Sequence, residues 1–382
     1  MNSSFDSHTE NGDEGNEVRM KFIHLASLRT ASENAGVVQQ MTWEKAAAEE
    51  LGLPWQVELW TKDASAGEDS VLRTNPGWMG NFLLRRLHFH LRLRRAARDA
   101  GGMVIRHAPL DPFFQFLPRR VRENTWYVFH TKTEDYLRSR GGRIGGLFAW
   151  LDRVLTRRAL RDTPGIIGVT DELVEHERMR LRMPNLKGLV YPNGLHLADW
   201  EDQLSDVRDG VPKVVFIASQ FHSWNGLEAV LQSMVDSLSR TAGELHLVGR
   251  LLPSQRAFIA EHNLQDIVIE HGSLDASAIQ GLLPSMDLSL GAFALHAIDA
   301  RSACTLKVRE SLKAGVPVYA GHHDVGLEDI PDCYRIGAPD WEEILRVAAA
   351  SRKSDKGQVR RMARPRIDKT TLLERLYEQL CR

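Results

Sequence analysis

One pattern occurs twice in this chain and leaves little choice of architecture. Met20–Ala26 (MKFIHLA) is a short apolar run that reads as a buried strand, and Ser27–Gly36 is a loop closing on a glycine. Val37–Leu51 then carries Val37, Val38, Met41, Ala48 and Leu51 on the inner side of a helix, and Trp55–Trp60 is the next strand. Strand, glycine loop, helix, strand is the opening of a doubly wound α/β domain. The order restarts at Lys213–Ala218 (KVVFIA), followed by a loop over 219–224, a helix over Gly226–Leu238 and a strand over Glu244–Val248 that ends at Gly249-Arg250. A chain of 382 residues is too long for one ordinary core, so two successive wraps imply two domains. The expected divisions are a polar, acidic, disordered tail over 1–18, a first domain over 19–195, a second over 196–365 and a final helix over 366–382.

Between the two openings, residues 62–80 are polar and read as a loop. Phe82–Arg98 places Leu83, Leu84, Leu87 and Leu91 on one helical face and five Arg or His side chains, among them Arg85, Arg86 and Arg92, over much of the rest. Such a basic amphipathic helix fits either ordinary packing on a sheet or contact with a membrane surface. Met103–His107 and Trp126–His130 are further strands, and the second ends on His130 at the edge where open α/β sheets present their ligands. Gly165–Thr170 (GIIGVT) is a buried strand with a helix behind it, and Pro192-Asn193-Gly194 is a turn. In the second half, Ile267–Glu270, Leu288–Ala292 and Val316–Ala320 supply strands, with helices over 253–263, 275–284 and 306–314.

Charge is unevenly spread. Residues 18–195 hold 28 basic and 19 acidic side chains, whereas 196–382 hold 21 and 26. The basic first half favours an anionic surface or substrate. Cys304, Cys333 and Cys381 form no Cys-x-x-Cys pair, so a disulfide scaffold or zinc site is not expected and a reducing cytoplasm is. The first residues have neither a basic start nor an apolar run, and no stretch reaches the roughly 18 apolar residues of a membrane span. Gly-x-Gly-x-x-Gly after a strand is absent, which removes the main support for hydride transfer, and the phosphate loop ending in Gly-Lys-Ser/Thr is absent too. The pairs His88/His90 and His322/His323 lack a third ligand at metal spacing.

The most informative stretch is Ser302–Val318, SACTLKVRESLKAGVPV. Leu306, Arg309 and Lys313 fall along one side of a helix that Gly315 and Pro317 stop, and Glu310 stands mid-helix beside Lys307. On spacing alone Glu310 reads as a solvated charge. The segment nevertheless resembles the donor-site motif of retaining glycosyltransferases of the GT-B type, family 4, in the variant Leu-Lys-x-x-Glu-x-x-x-x-Gly-x-Pro-Val. SQFHSWNGLEAVLQ at 219–232, VGR at 248–250, IEHGSLD at 269–275 and GLVYPNG ending at 194 resemble further family segments in the same order. Two departures stand out. Ser302 occupies the position of the first Glu in the family's Glu-x7-Glu pattern, and Asn225 replaces a basic residue.

The resemblance implies two Rossmann-like domains facing a central cleft, the first receiving an acceptor and the second a nucleoside-diphosphate sugar. It implies metal-independent transfer with retention of configuration to a saccharide or lipid-linked saccharide acceptor. No cofactor is implied, the nucleotide-sugar being a substrate. Glu310 would hold the ribose diol, since a carboxylate can accept two hydrogen bonds from neighbouring hydroxyls. Lys307 would stabilise the departing diphosphate, with Arg250 and Arg301 as other candidate cations, and His130 would stand near the donor sugar. Gly36, Asn225, Gly226, Gly249, Arg250, His271, Gly272, Ser273, Ser302, Thr305 and Leu306 complete the expected donor contacts. The expected location is the cytoplasm, with peripheral contact to an anionic membrane and no nucleic-acid partner. Two other readings remain open, a non-catalytic GT-B partner subunit and a nucleotide-sugar epimerase of the same fold.

Overall fold

The computed structural model describes residues 20–31, 34–62, 71–74, 81–140, 142–197 and 210–382, so the expected disordered tail lies outside the described residues. The first domain is built on β1 (Phe22–Ser27), β2 (Trp55–Thr61), β3 (Leu72–Thr74), β4 (Gly102–Arg106), β5 (Thr125–Phe129), β6 (Gly165–Gly168) and β7 (Lys187–Val190). Around them lie α1 (Ala35–Glu50), α2 (Phe82–Asp99), α3 (Arg119–Arg122), α4 (Thr133–Arg140), α5 (Gly145–Ala159) and α6 (Asp171–Leu181). The strands form one parallel sheet in the order β3-β2-β1-β4-β5-β6-β7.

The second domain uses β8 (Lys213–Gln220), β9 (Glu244–Arg250), β10 (Val268–Gly272), β11 (Leu288–Leu290), β12 (Val318–Ala320) and β13 (Tyr334–Ile336). With them are α7 (Leu227–Asp236), α8 (Pro253–Glu261), α9 (Ala276–Leu282), α10 (Leu306–Lys313), α11 (Trp341–Ser351) and α12 (Lys356–Ile367), whereas the last helix, α13 (Lys369–Cys381), packs on the first domain. This sheet is parallel as well, in the order β10-β9-β8-β11-β12-β13. Strand direction of progress reverses between β1 and β4 in one sheet and between β8 and β11 in the other. Those switch points are where open α/β sheets form ligand crevices.

Parallel strands need apolar cover on both faces. In the first domain Phe22, Val57, Leu59, Val104 and Val128 pack to one side, and Ile23, Leu25, Met103, Ile105 and Phe129 to the other. The first of these cores is completed from the far end of the chain by Leu372, Leu373, Leu376, Tyr377 and Leu380 of α13. Tyr377 Oη also donates to the Met20 carbonyl at 2.9 Å. The chain therefore passes between domains twice, and the two passages are stitched together: Leu195 N–H donates to Ile367 O at 2.7 Å and Lys369 N–H to Leu195 O at 2.8 Å.

α10 ends as its sequence dictates. Gly315 takes φ 74°, its N–H bonds to Leu312 O at 3.0 Å, and the Val316 N–H bonds to Ser311 O at 2.9 Å. This closes the helix in the pattern that glycine alone enters without steric cost.

α2 departs from the usual arrangement of a sheet-packed helix. Its buried residues are Arg86, Phe89, His90 and Leu93, and the leucine face points outward, with Leu83 at 52% and Leu91 at 49% exposure.

Candidate active site

A cleft of about 1010 Å³ opens between the two domains. From the first domain it is lined by Asn34–Val37 and Gln40 at the start of α1, Arg106 at the end of β4, His130–Lys132 after β5, and Thr170 and Glu172 at the start of α6. From the second domain come residues 296–300, 302–304 and Leu306. Asn193, in the Pro192–Gly194 turn, lines it as well. Asn193 Nδ2 donates to Cys304 O at 2.7 Å, Arg309 Nε donates to Asn193 O at 3.1 Å, and Gln40 Nε2 donates to Gly194 O at 2.7 Å.

Four of the expected site residues, Gly36, His130, Ser302 and Leu306, line this cleft directly. Thr305 stands between Cys304 and Leu306 as the residue preceding α10. Lys307 and Glu310 lie in the first and second turns of that helix, part-buried. Asn225 and Gly226 follow β8, Gly249 and Arg250 end β9, and His271 and Gly272 end β10 with Ser273 just beyond it. They share the ligand-bearing edge of the second sheet but are not among the residues lining the cleft.

Several of these side chains are already engaged. Asn225 Oδ1 accepts from His222 N–H at 2.8 Å, and its carbonyl accepts from Phe293 N–H at 2.9 Å. His271 Nε2 lies 2.9 Å from His246 Nδ1, their rings stacked. Gly249, at φ 130°, has no room for any side chain, because a Cβ there would lie 1.6 Å from Ala218 O.

The Glu310 and Lys307 side chains, by contrast, hydrogen-bond and ion-pair with no other described residue. Burial raises the Glu310 carboxyl above its usual range, with Lys307 and Lys313 acting against it. Burial likewise lowers Lys307, with Glu310 opposing. A half-desolvated carboxylate without donors is an unfilled acceptor. His130 is driven well below 6.5, first by burial and then by Arg106, His24 and Lys369, so it is a neutral imidazole at physiological pH.

Three features were not visible in the sequence. Glu172, in the first turn of α6, accepts from the N–H groups of Arg301 and Ser302 and from the Ser302 hydroxyl, and ion-pairs with Lys132 at 3.1 Å. Burial acts to raise its carboxyl, yet these donors hold it down at about 2. Arg309 is fully buried in a bidentate pair with Asp324. Beneath the cleft, Glu44 is buried against His24 at 2.6 Å, Trp55 Nε1 at 2.9 Å and Lys369 at 3.8 Å. Glu172 and Arg106 had one available signal, a charged residue at the carboxyl end of an apolar strand or just beyond it. Among the described residues, no three His, Cys, Asp or Glu side chains gather as a metal site.

The same two-domain fold recurs in solved structures. A glycosyltransferase from Rickettsia africae superposes with a TM-score of 0.62 at 13% identity, covering 95% of this chain and 99% of that one. The chain has the GT-B fold. The apo form of the lipopolysaccharide outer core galactosyltransferase WaaB gives 0.61 at 9% identity, with 95% and 99% covered. HepE of Anabaena, solved in complex with UDP, gives 0.60 at 14% identity, with 95% and 100% covered. No protein-family model matches the chain, and no curated protein matches it by sequence. Identity this low carries the GT-B fold across and nothing finer.

Proposed function

We propose that the protein is a glycosyltransferase that moves a sugar from a nucleoside-diphosphate donor to a saccharide or lipid-linked saccharide acceptor, with retention and without a divalent metal. The observation that carries this reading is Glu310, a part-buried carboxylate with no partner, on the motif helix of a GT-B fold. Its role would be to accept two hydrogen bonds from the ribose diol. Lys307, one turn earlier, supplies positive charge for the diphosphate as the glycosidic bond breaks, and the neutral His130 approaches the sugar from the opposite domain. Catalysis of this kind is mainly positioning and electrostatic stabilisation.

The outward face of α2 favours an acceptor at a membrane. Leu83, Leu84, Leu87 and Leu91 are exposed there, as are Leu147, Trp150 and Leu151 on α5. Both helices pack on the same segment: Arg86 donates to Pro109 O at 3.4 Å, and Asp152 of α5 accepts from Leu110 N–H at 2.7 Å. Phe116, at 69% exposure, lies on that segment's continuation. Exposed leucines and tryptophan beside Arg94, Arg95, Arg157 and Arg158 suit an anionic lipid surface. Among the described residues no helix is long and apolar enough to cross a membrane.

A second reading, a non-catalytic partner subunit, is favoured only by Ser302 and Asn225, whose side chains are occupied within the protein. Incubation with UDP-, GDP- and ADP-sugars, following donor hydrolysis with and without excess chelator, separates the two. Turnover of one donor that survives chelation supports the transferase. Tight nucleotide binding without turnover supports the partner subunit, and turnover that chelation abolishes and manganese restores overturns the metal-free chemistry.

A further inference from the structure

The exposed face of α2 changes character half-way along. Leu83, Leu87 and Leu91, then Arg94 and Arg98, follow at intervals of four, four, three and four residues, so they form one stripe. All five are exposed, while Arg86, Phe89, His90 and Leu93 hold the other side of the helix. The first half of the stripe is apolar and the second half is cationic.

The cationic half borders a hollow of about 750 Å³. Arg94, Arg95 and Arg98 line it from α2 and Arg120 from α3, over Gly102 and Met103 at the start of β4. Among the described residues, no Asp or Glu lines it. The side chains of these four arginines hydrogen-bond and ion-pair with no other described residue. Acids close by in the sequence or the fold are engaged elsewhere, Glu123 with Arg119 at 2.8 Å and Asp162 with Arg122. Arg98 alone is accounted for by the carboxyl end of its helix, where a cation is favoured. Arg94, Arg95 and Arg120 have no such account. Like charges around one hollow repel one another, and an anion carrying more than one charge relieves that cost; the planar guanidinium fork matches phosphate oxygens.

Position separates this hollow from the cleft. β4 has its first residue in the hollow and its last, Arg106, in the wall of the cleft, roughly 13 Å further along the strand. The hollow therefore lies at the amino-terminal edge of the first sheet, away from His130 and the expected donor contacts. Leu91 belongs both to the apolar stripe and to the lining of the hollow. A ligand seated there meets exposed apolar surface directly beside the charge.

We propose that Arg94, Arg95, Arg98 and Arg120 form a headgroup site for the phosphate of an anionic lipid, selective for a doubly charged phosphomonoester, with Leu83, Leu87 and Leu91 entering the acyl region next to it. The site rests on the lipid-facing reading of α2 and on none of the transfer chemistry.

The test is vesicle flotation of the full chain with phosphatidylcholine alone and with phosphatidylcholine containing phosphatidic acid or phosphatidylglycerol at matched surface potential. Wild type binds the phosphatidic acid vesicles about fivefold or more tighter than the phosphatidylglycerol ones, the effect of roughly one cation at a membrane surface. Arg120→Gln removes that preference. Arg119→Gln, which takes away an arginine already paired with Glu123 and outside the hollow, keeps it. Leu87→Gln weakens binding to both anionic vesicles alike, and all three variants melt with wild type and hydrolyse donor at its rate without vesicles. Equal binding to the two anionic lipids, or equal losses in Arg120→Gln and Arg119→Gln, overturns the headgroup site and leaves general membrane contact standing. Binding to no vesicle overturns both. Calorimetry with inorganic phosphate and pyrophosphate covers a soluble source: pyrophosphate binding that Arg120→Gln abolishes, without discrimination among vesicles, assigns a free anion and overturns the lipid. A dimer in sedimentation that Leu87→Gln dissociates assigns the stripe to a second copy of the chain and overturns it too.

Discussion

Glu172 on the first domain accepts hydrogen bonds from both the backbone N–H and the hydroxyl of Ser302 on the second, at 2.7 and 2.9 Å. The position where the motif that Ser302–Val318 resembles has a carboxylate thus holds a serine bound to a carboxylate from the opposite wall. With the Arg301 N–H and Lys132 on the same group, this is a latch across the cleft.

Glu172→Gln should loosen that latch. The carboxyl is held at about 2 against an ordinary 4.5, so its contribution is complete above about 4.5 and is lost as pH falls toward 2. Small-angle scattering at neutral pH should show a larger mean radius for Glu172→Gln than for wild type, and wild type should be unchanged between pH 7 and 5. Identical scattering from both proteins would remove the latch.

Glu310→Gln should reduce affinity for the donor nucleotide by roughly tenfold to a hundredfold, the loss of a charged acceptor being about 1.5–3 kcal/mol. Its carboxyl is raised by burial, so the charged form is the costly one in the folded protein, and the variant should melt no lower at neutral pH. Calorimetry with UDP, GDP and ADP checks both halves, and undiminished affinity for the preferred nucleotide rejects the assignment.

His130→Ala should lower turnover about 10²-fold or more while leaving nucleotide affinity and the melting temperature nearly intact. Since His130 stays neutral well below its ordinary 6.5, wild-type turnover should show no inflection from this residue near that value. A stable variant with full activity would take His130 out of the chemistry.

Asp324→Asn should cost about 3–5 kcal/mol, because it strands the buried Arg309 without its counter-charge. Both side chains are 0% exposed. Urea unfolding measures the loss, and adding Arg309→Met in the same chain should recover much of it. A single variant as stable as wild type would contradict the pairing.

The fold was legible because central strands of both sheets, such as β5, β6 and β8, are nearly continuous apolar runs, and such runs declare themselves without their neighbours. β3 and β13 were not, being three-residue edge strands too short to show a period, and β3 falls in a stretch read as loop. Helix α10 was placed correctly in outline, but Arg309 looked like a companion of Leu306 and Lys313. Its partner Asp324 is 15 residues away, and only the tertiary structure brings the two together. The same holds for Glu44, which spacing places among ordinary helix residues and which burial joins to His24 and Lys369. The leucine stripe of α2 is legible in the sequence as a stripe. Which way it faced could not be read, because Phe89 and Leu93 suffice to anchor the opposite side once Arg86 and His90 are buried with them.

The docking of α13 has a consequence for how the protein is made. Leu372, Leu373, Leu376 and Leu380 fill the core between α1 and the first sheet, yet they leave the ribosome after the whole second domain. The half of the protein synthesised first must therefore wait, with Phe22, Trp55 and Val57 open to solvent on that side, until residues 372–380 emerge. During that interval the second domain can already be complete, so the chain is expected to mature in the reverse of its order of synthesis. A release assay on stalled ribosomes would see protease resistance arrive in the C-terminal half before the N-terminal half.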